Sequence, residues 1–304
     1  MNLELVGSRL THARSTADEQ ELLERPPIPA SGPRVIQKRF VILATPRTGS
    51  SHLVELLNSH PQASCLGELF NPKGTVLREL GMRNKKVMTE VGQTPLEFLD
   101  RVIEQLEERE GCKPCFGFKM MLHHDPRMID YVLDDPGWTV IVLERENLLG
   151  QWTSMALAKK TGRWDTGGGK GKGKLSDKSG DDDEDEEGDD DVVRTDSADS
   201  APATDAPAPP VYKVTFDAWK FEQYCFRMRA RYASIYHRLG QRKYFRLTTE
   251  EMDARHSELL EFLGLDPGPI RATRPRQNST SMRDRIENYD TYARYAKRHS
   301  IPVS

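Results

Sequence analysis

The sequence predicts an α/β fold on a parallel sheet, and three observations carry that expectation. The apolar run FVIL passes through ATPRTGSS (Ala44 to Ser51) into the helical stretch HLVELLNSH, giving strand, glycine turn and helix in that order. The same order returns where WTVIVL (Trp138 to Leu143) leads into NLLGQWTSMALAKK. Between them a helical pattern precedes a further strand, and alternating strands and helices mark this fold class.

Taken in order, the first strand is expected near Arg39 to Ala44, followed at once by the helix that starts in the glycine turn. From Gln93 to Glu110 the residues Leu96, Phe98, Leu99, Val102, Ile103 and Leu106 recur at helical spacing, and Phe116 to Leu122 (FGFKMML) then forms a buried strand. A helix from about Asn147 to Lys160 completes the second strand–turn–helix unit. After it come a long amphipathic helix at Phe216 to Leu239, a short strand at Tyr244 to Leu247 and a helix at His256 to Leu263 closed near Gly264. The last forty residues are basic and end in RIENYDTYARYAKRH, expected as a surface helix. No internal repeat is visible.

Two stretches stand outside this pattern. Residues 1 to 36 are polar, end in RPPIPASGP and form an N-terminal extension. From Asp165 to Pro210 the chain runs through GGGKGKGK, an acid run and SADSAPATDAPAPP, a composition that buries too little apolar surface to offset chain entropy. It is expected to be a disordered insertion within one domain made of residues 37–164 and 211–304.

With 304 residues and 37% hydrophobic content the chain has material for a sizeable core. Its net charge is −3, but ten of its 47 acids lie between Asp181 and Asp191. Set those aside and Lys and Arg outnumber the acids, so the folded part is mildly basic, as suits an anionic ligand. No basic stripe interleaved with aromatics suggests nucleic acid. No run of eighteen apolar residues and no apolar leader appear, so a cytoplasmic chain without a transmembrane segment is expected. The four cysteines are too few and scattered for a disulfide framework. Cys112 and Cys115 form a lone CxxC, without the second pair that zinc binding asks for and without the strand-to-helix order of a thioredoxin site.

The chemistry points to the turn. Aligned on Gly49, the stretch from Ala44 to Ser51 follows the pattern GxxxxGK[ST], but only Gly49 and Ser51 are kept, and Ser50 stands where lysine reaches the β and γ phosphates. In the loop from Pro46 to His52, the backbone N–H groups of Arg47, Thr48, Gly49, Ser50, Ser51 and His52, with Pro46 shaping the turn, and the dipole of the following helix still make an anion cradle. With Arg47 as the cation in the turn, a nucleotide carrying one 5′-phosphate and a further transferable group fits better than a triphosphate. The plain alternative is a proline turn whose Arg and Ser cap a helix.

TPRTGSSHLVELLNSHP, followed by CLGELFNP, resembles the 5′-phosphosulfate loop of the PAPS-dependent sulfotransferases, in the carbohydrate-type branch that includes nodulation-factor and trehalose sulfotransferases. Three more segments match in order. VIVLERENLLGQWTSMAL is similar to the family's 3′-phosphate motif, in which Arg145 grips the phosphate and Thr153 or Ser154 adds a hydroxyl; the spacing of eight residues favours Thr153, the alignment Ser154. FGFKMM is similar to the GFK strand and would put Lys119 near the floor of the site. PRQNSTSMRDRIENYD resembles the last segment, with Arg276 and Gln277 as nucleotide-covering candidates. The matches cover about residues 38 to 164 and 216 to 292.

The resemblance implies a three-layer P-loop-type fold, with a central parallel sheet flanked by helices and interrupted by the acidic insertion. It implies PAPS (3′-phosphoadenosine 5′-phosphosulfate) as co-substrate, no metal, and in-line sulfuryl transfer to an acceptor hydroxyl. Arg47 would stabilise charge on the sulfuryl group and Glu68 would take the acceptor's proton, with His123 and His124 as rival bases. The acceptor would be a small molecule or a glycoconjugate, and Trp152, Trp164 and Trp219 are candidates to stack on a sugar. A binding module that kept the nucleotide pocket but lost turnover is the alternative from another class; a P-loop kinase would need the lysine that is absent.

Overall fold

A computed structural model of the chain describes residues 35–71, 76–82, 85–162, 164, 212–272 and 281–301. Nearly all of these lie in a unit that starts at Ile36. The insertion, Arg276 and Gln277, and the extension up to residue 34 fall outside the described residues. Ile36, assigned to the extension from sequence, is buried in the core instead.

Five strands, β1 (Lys38–Ala44), β2 (Ala63–Glu68), β3 (Cys115–Met121), β4 (Trp138–Glu144) and β5 (Tyr244–Thr248), make one sheet in the order β2-β3-β1-β4-β5. Every pairing is parallel. The helices are α1 (Ser50–Asn58), α2 (Val76–Glu79), α3 (Lys85–Gln93), α4 (Pro95–Glu107), α5 (Pro126–Asp134), α6 (Leu148–Thr161), α7 (Ala218–Leu239), α8 (His256–Phe262), α9 (Met282–Arg285) and α10 (Tyr289–Arg298).

The expected α/β architecture is present, and strands and helices foreseen from the apolar pattern lie within a few residues of their expected bounds. Local chemistry sets those bounds. Asp217 caps α7 by accepting from Lys220 N–H at 3.0 Å, and α6 ends at Gly162 in the left-handed region. Absent from the sequence expectation were β2, α2, α3, α9 and α5, although Asp125 with Pro126 at the first helical position is a strong start signal for α5. The tail helix is not wholly at the surface: Tyr292 and Ala296 are buried in a third cluster with Phe216 and Phe221.

The three layers follow from two apolar clusters. On one face of the sheet Val41, Leu43, Phe118 and Val142 meet α3, α4, α5 and the C-terminal half of α7; on the other, Ile42, Ala44 and Leu143 meet α1 and α8. Both faces being covered, the central strands β1, β3 and β4 carry near-continuous apolar runs in place of alternation. Among the described residues no helix is long and apolar enough to cross a membrane.

One close approach depends on glycine. Phe40 is paired in register with Gly117, and a Cβ at Gly117 would overlap the Phe40 ring. Gly117→Ala should therefore cost about 1–3 kcal/mol by overpacking, with Phe40→Leu in the same chain recovering part of the loss. Urea unfolding checks this; an unchanged midpoint in the single variant would show that the ring moves aside at no cost.

Candidate functional site

Because every strand runs the same way, all five carboxyl ends face one rim. The chain leaves β1 towards β2 at one edge and leaves β4 towards β5 at the other, which opens a crevice between them.

The turn after β1 is built from hydrogen bonds to its neighbours. Thr45 N–H donates to the Tyr232 hydroxyl at 3.1 Å, and Tyr232 donates to Leu143 O at the end of β4 at 2.7 Å. Gln151 Nε2 donates to Thr45 Oγ1 and Pro46 O, Thr48 Oγ1 donates to Thr45 O, and Thr249 Oγ1 donates to Thr48 O. Arg47 (φ 67°) and Gly49 (φ 75°) both take the left-handed conformation, an uncommon state for an arginine. Gly49 starts α1 with no side-chain cap and no acid in the first turn, so the backbone N–H groups of that turn face the crevice without a carboxylate of their own.

At the β2–β3 side of the cradle sits a buried cation. Lys119, 5% exposed, donates from Nζ to Ser51 Oγ at 3.1 Å and lies 3.0 Å from Glu68 Oε1. Asn71 Nδ2 donates to Glu68 Oε2 at 3.1 Å, and His124 Nε2 is 3.7 Å from the same oxygen. Burial pushes the Glu68 carboxyl up, but Lys119, Asn71 and His124 together outweigh it and hold the group below the usual carboxylate range. The cation beside Glu68 is thus Lys119, while Arg47 is bonded towards Ser154.

At the β1–β4 side the cations cluster. Arg47 Nε donates to Ser154 Oγ at 2.9 Å and Nη1 to Trp164 O at 2.7 Å, while Arg145 Nη1 donates to Arg47 O at 3.1 Å. Arg145 lies across the first turn of α6, where a Cβ at Gly150 would come within 2.9 Å of its Nη2. A guanidinium over a helix N-terminus is a repulsive placement that an anion would offset. Arg285, from α9, is a residue the sequence analysis missed. Burial and the nearby charge of Arg145 lower its pKa from the ordinary arginine value, so two like charges share a half-buried space.

The remaining candidates separate cleanly. Thr153 is fully buried and donates to Leu149 O inside its own helix at 2.9 Å, which leaves Ser154 as the hydroxyl turned towards the arginines. Ser50 is buried, and His52 faces Asp253, 3.8 Å away. His123 is exposed, its ring centroid 5.1 Å from that of His124. Trp152 packs edge-on against Phe216 and Phe221 in the core, and Trp219 stands 68% exposed on α7. Cys112 packs against the cluster on one sheet face and Cys115 in the cluster on the other, and burial pushes the Cys115 thiol up to about 11. Between them Lys113 Nζ binds the carbonyls of Asn58, His60 and Ala63, so this CxxC braces the link from α1 to β2. Among the described residues no three His, Cys, Asp or Glu side chains converge as a metal site would need.

Fold and site together define a parallel α/β protein whose first strand-to-helix turn lies between a paired lysine and carboxylate on one side and an arginine cluster on the other. Over 125 residues, 41% of its length, the chain is similar to nodulation protein H, with 28% identity to that of Rhizobium meliloti (strain 1021) and 30% to that of Rhizobium tropici. It spans about half the length of these relatives, 49% and 48%. The likeness agrees with the nodulation branch of the resemblance carried by the loop. No protein-family model matches. Two solved structures align loosely: a sulfotransferase from Alicyclobacillus acidocaldarius (13% identity, 86% of this chain and 92% of that one, TM-score 0.38) and the sulfotransferase domain from the curacin biosynthetic pathway (12%, 90% and 100%, TM-score 0.41).

The Glu68 environment gives a titration test. With its pKa lowered, the carboxylate should stay ionised as pH falls through the ordinary glutamate value near 4.3 and protonate only below it. The stability it contributes is present above that value and lost as pH falls through the lowered one. Lys119→Met leaves burial as the leading influence and should move the titration above the ordinary value. Carboxyl-carbon NMR of Glu68 in both proteins would show this; a titration unchanged by the substitution would contradict it.

Proposed function

We propose that the chain is a sulfotransferase that moves a sulfuryl group from PAPS to an acceptor hydroxyl of a carbohydrate or small metabolite. The observation that carries this reading is Lys119, which touches Ser51 on the cradle and Glu68 opposite it, so that cation, cradle and base form one hydrogen-bonded unit. The sequence resemblance to nodulation protein H supports it.

In this reading the 5′-phosphosulfate lies on the first turn of α1, against N–H groups from Thr48 to Ser51 and the Ser51 hydroxyl. The 3′-phosphate lies among Arg145, Arg285 and Ser154, with Arg47 at its edge. The acceptor oxygen attacks sulfur in line as the bond between sulfur and the bridging oxygen breaks. Its proton passes to the Glu68 carboxylate, and PAP (3′-phosphoadenosine 5′-phosphate) leaves with the bridging oxygen's electron pair. Lys119 takes the charge-stabilising role that sequence alone gave to Arg47, because Arg47 is bonded towards Ser154. Catalysis then rests on positioning and on charges fixed before reaction.

PAP should raise the melting temperature in the presence of a chelator, and ADP, which lacks the 3′-phosphate, should do far less. Losing such a charge-assisted clamp costs about 2–5 kcal/mol, or on the order of 30-fold to several thousand-fold in affinity. Arg145→Ala and Arg285→Ala should bring PAP down towards ADP. Equal stabilisation by both nucleotides would sink the reading. Glu68→Gln should lower turnover by roughly 10² to 10⁴ while PAP affinity barely changes; turnover near the wild-type rate would remove Glu68 as the base.

A further inference from the structure

We propose that His124 is a positioning residue, locked as its Nε2–H tautomer by the backbone of β3, which orients the Glu68 carboxylate and does not itself take the acceptor's proton. This rests on the sulfotransferase reading for its catalytic consequence, and on geometry alone for the tautomer.

The lock arises where β2 stops. Its pairing with β3 ends at Glu68↔Lys119, two residues before Met121, so the Met121 N–H bonds elsewhere. The chain turns back at once, with Leu122 N–H on Ala44 O at 2.9 Å and His124 N–H on Met121 O at 2.9 Å. That turn folds the His124 ring under the strand end, and Met121 N–H donates to Nδ1 at 3.3 Å. A backbone amide has no lone pair to offer, so Nδ1 must present its own. A neutral imidazole carries one N–H, which therefore sits on Nε2, the nitrogen 3.7 Å from Glu68 Oε2. At that distance the contact is electrostatic and not a hydrogen bond. It still presents a partial positive charge to the oxygen that already accepts from Asn71, while Lys119 holds the other oxygen.

The same lock opposes a role as base. A second proton would have to go onto Nδ1, where it would face the Met121 N–H and leave that amide without its acceptor. Nε2 already bears hydrogen and cannot accept another. Beside the ring, the Glu68 carboxylate from β2 favours the imidazolium, Lys119 from β3 offsets that charge by pairing with its other oxygen, and the His123 ring lies edge-on. Glu68 favours the cation through Nε2–H, which the neutral ring already supplies. The rival bases weighed from sequence thus divide into an exposed His123 and a His124 held as a donor.

Two measurements test this. In the intact protein, nitrogen chemical shifts of His124 should report the Nε2–H tautomer from pH 5 to pH 8, with no titration near the ordinary histidine value of about 6.5. A ring that protonates in that range, or shows the Nδ1–H tautomer, overturns the proposal whether or not the protein transfers sulfuryl groups. In turnover, His124→Phe should lower kcat by roughly 10-fold to 100-fold with PAP binding kept, and His124→Gln, whose amide N–H replaces Nε2–H, should recover most of it. If His124→Gln is as slow as His124→Phe, and wild-type kcat/KM falls as pH drops through about 6.5, the histidine is the base. A protein that fails to distinguish PAP from ADP loses the sulfotransferase reading, while the NMR result on His124 stands by itself.

Discussion

The constraint on which the rim of this molecule depends is the ammonium group of Lys119. It lies on a central strand, almost wholly removed from water, and an unpaired buried charge costs more than a fold of this size can spare. Its carboxylate must come from β2. In a regular parallel pair the residue next to Lys119 would follow Leu66 by one, but the register shifts between Leu66 and Glu68, which skips Gly67 and places Glu68 beside the lysine. Glycine suits the skipped position: a Cβ there would come within 3.0 Å of Val76 Cγ2. The irregularity that re-aims Glu68 also ends the pairing of β2, and so hands the next N–H of β3 to His124. One buried charge thus accounts for a bulge, a glycine and a histidine tautomer.

At the other side of the crevice the logic is reversed. Lys119 and Glu68 neutralise each other, whereas Arg145 and Arg285 bring like charges together beside Arg47, and Arg145 lies over a helix N-terminus. Tyr232 and Gln151 hold this arrangement by tying the β1 turn to the end of β4 and to α6. The outcome is a site with one charge-neutralised end and one end rich in positive charge, on either side of a loop held by these bonds. A ligand with two separated anionic groups matches that polarity better than one with a single run of phosphates.

What the sequence made legible was whatever depends on local pattern. The central strands β1, β3 and β4 are apolar runs bounded by turn residues, and α4 and α7 show helical spacing. The edge strand ASCLGE has little β-branched or aromatic content to announce it, and α5 was missed despite its Asp–Pro start. The loop, Lys119, Glu68 and Arg145 were singled out as candidates through motifs, but their mutual arrangement was not legible. The Glu68–Lys119 contact depends on a register shift, the direction of Arg47 on a positive φ, and Arg285 on a tail segment that bridges back to Val214. Each is a tertiary fact with no local signature. Thr153 shows the limit of counting: spacing favoured it, but its hydroxyl is spent on the carbonyl one turn back.

The missing loop lysine acquires a physical reason from the same geometry. Ser50, which stands at that lysine's place, is buried next to Ser51, and the Ser51 hydroxyl is already bonded to the Lys119 ammonium. Two unit charges about 4 Å apart at an effective dielectric of about 20 repel by about 4 kcal/mol, so a second ammonium on this turn would compete with Lys119 for the one carboxylate nearby. The cation that a nucleotide-hydrolysing loop carries on its own helix is here delivered from the neighbouring strand, already paired with the group proposed to take the proton. That relocation leaves the first turn of α1 to serve through its backbone N–H groups. It also sets the cation between the turn and the Glu68 carboxylate, where in the proposed reaction charge would pass from acceptor to leaving group.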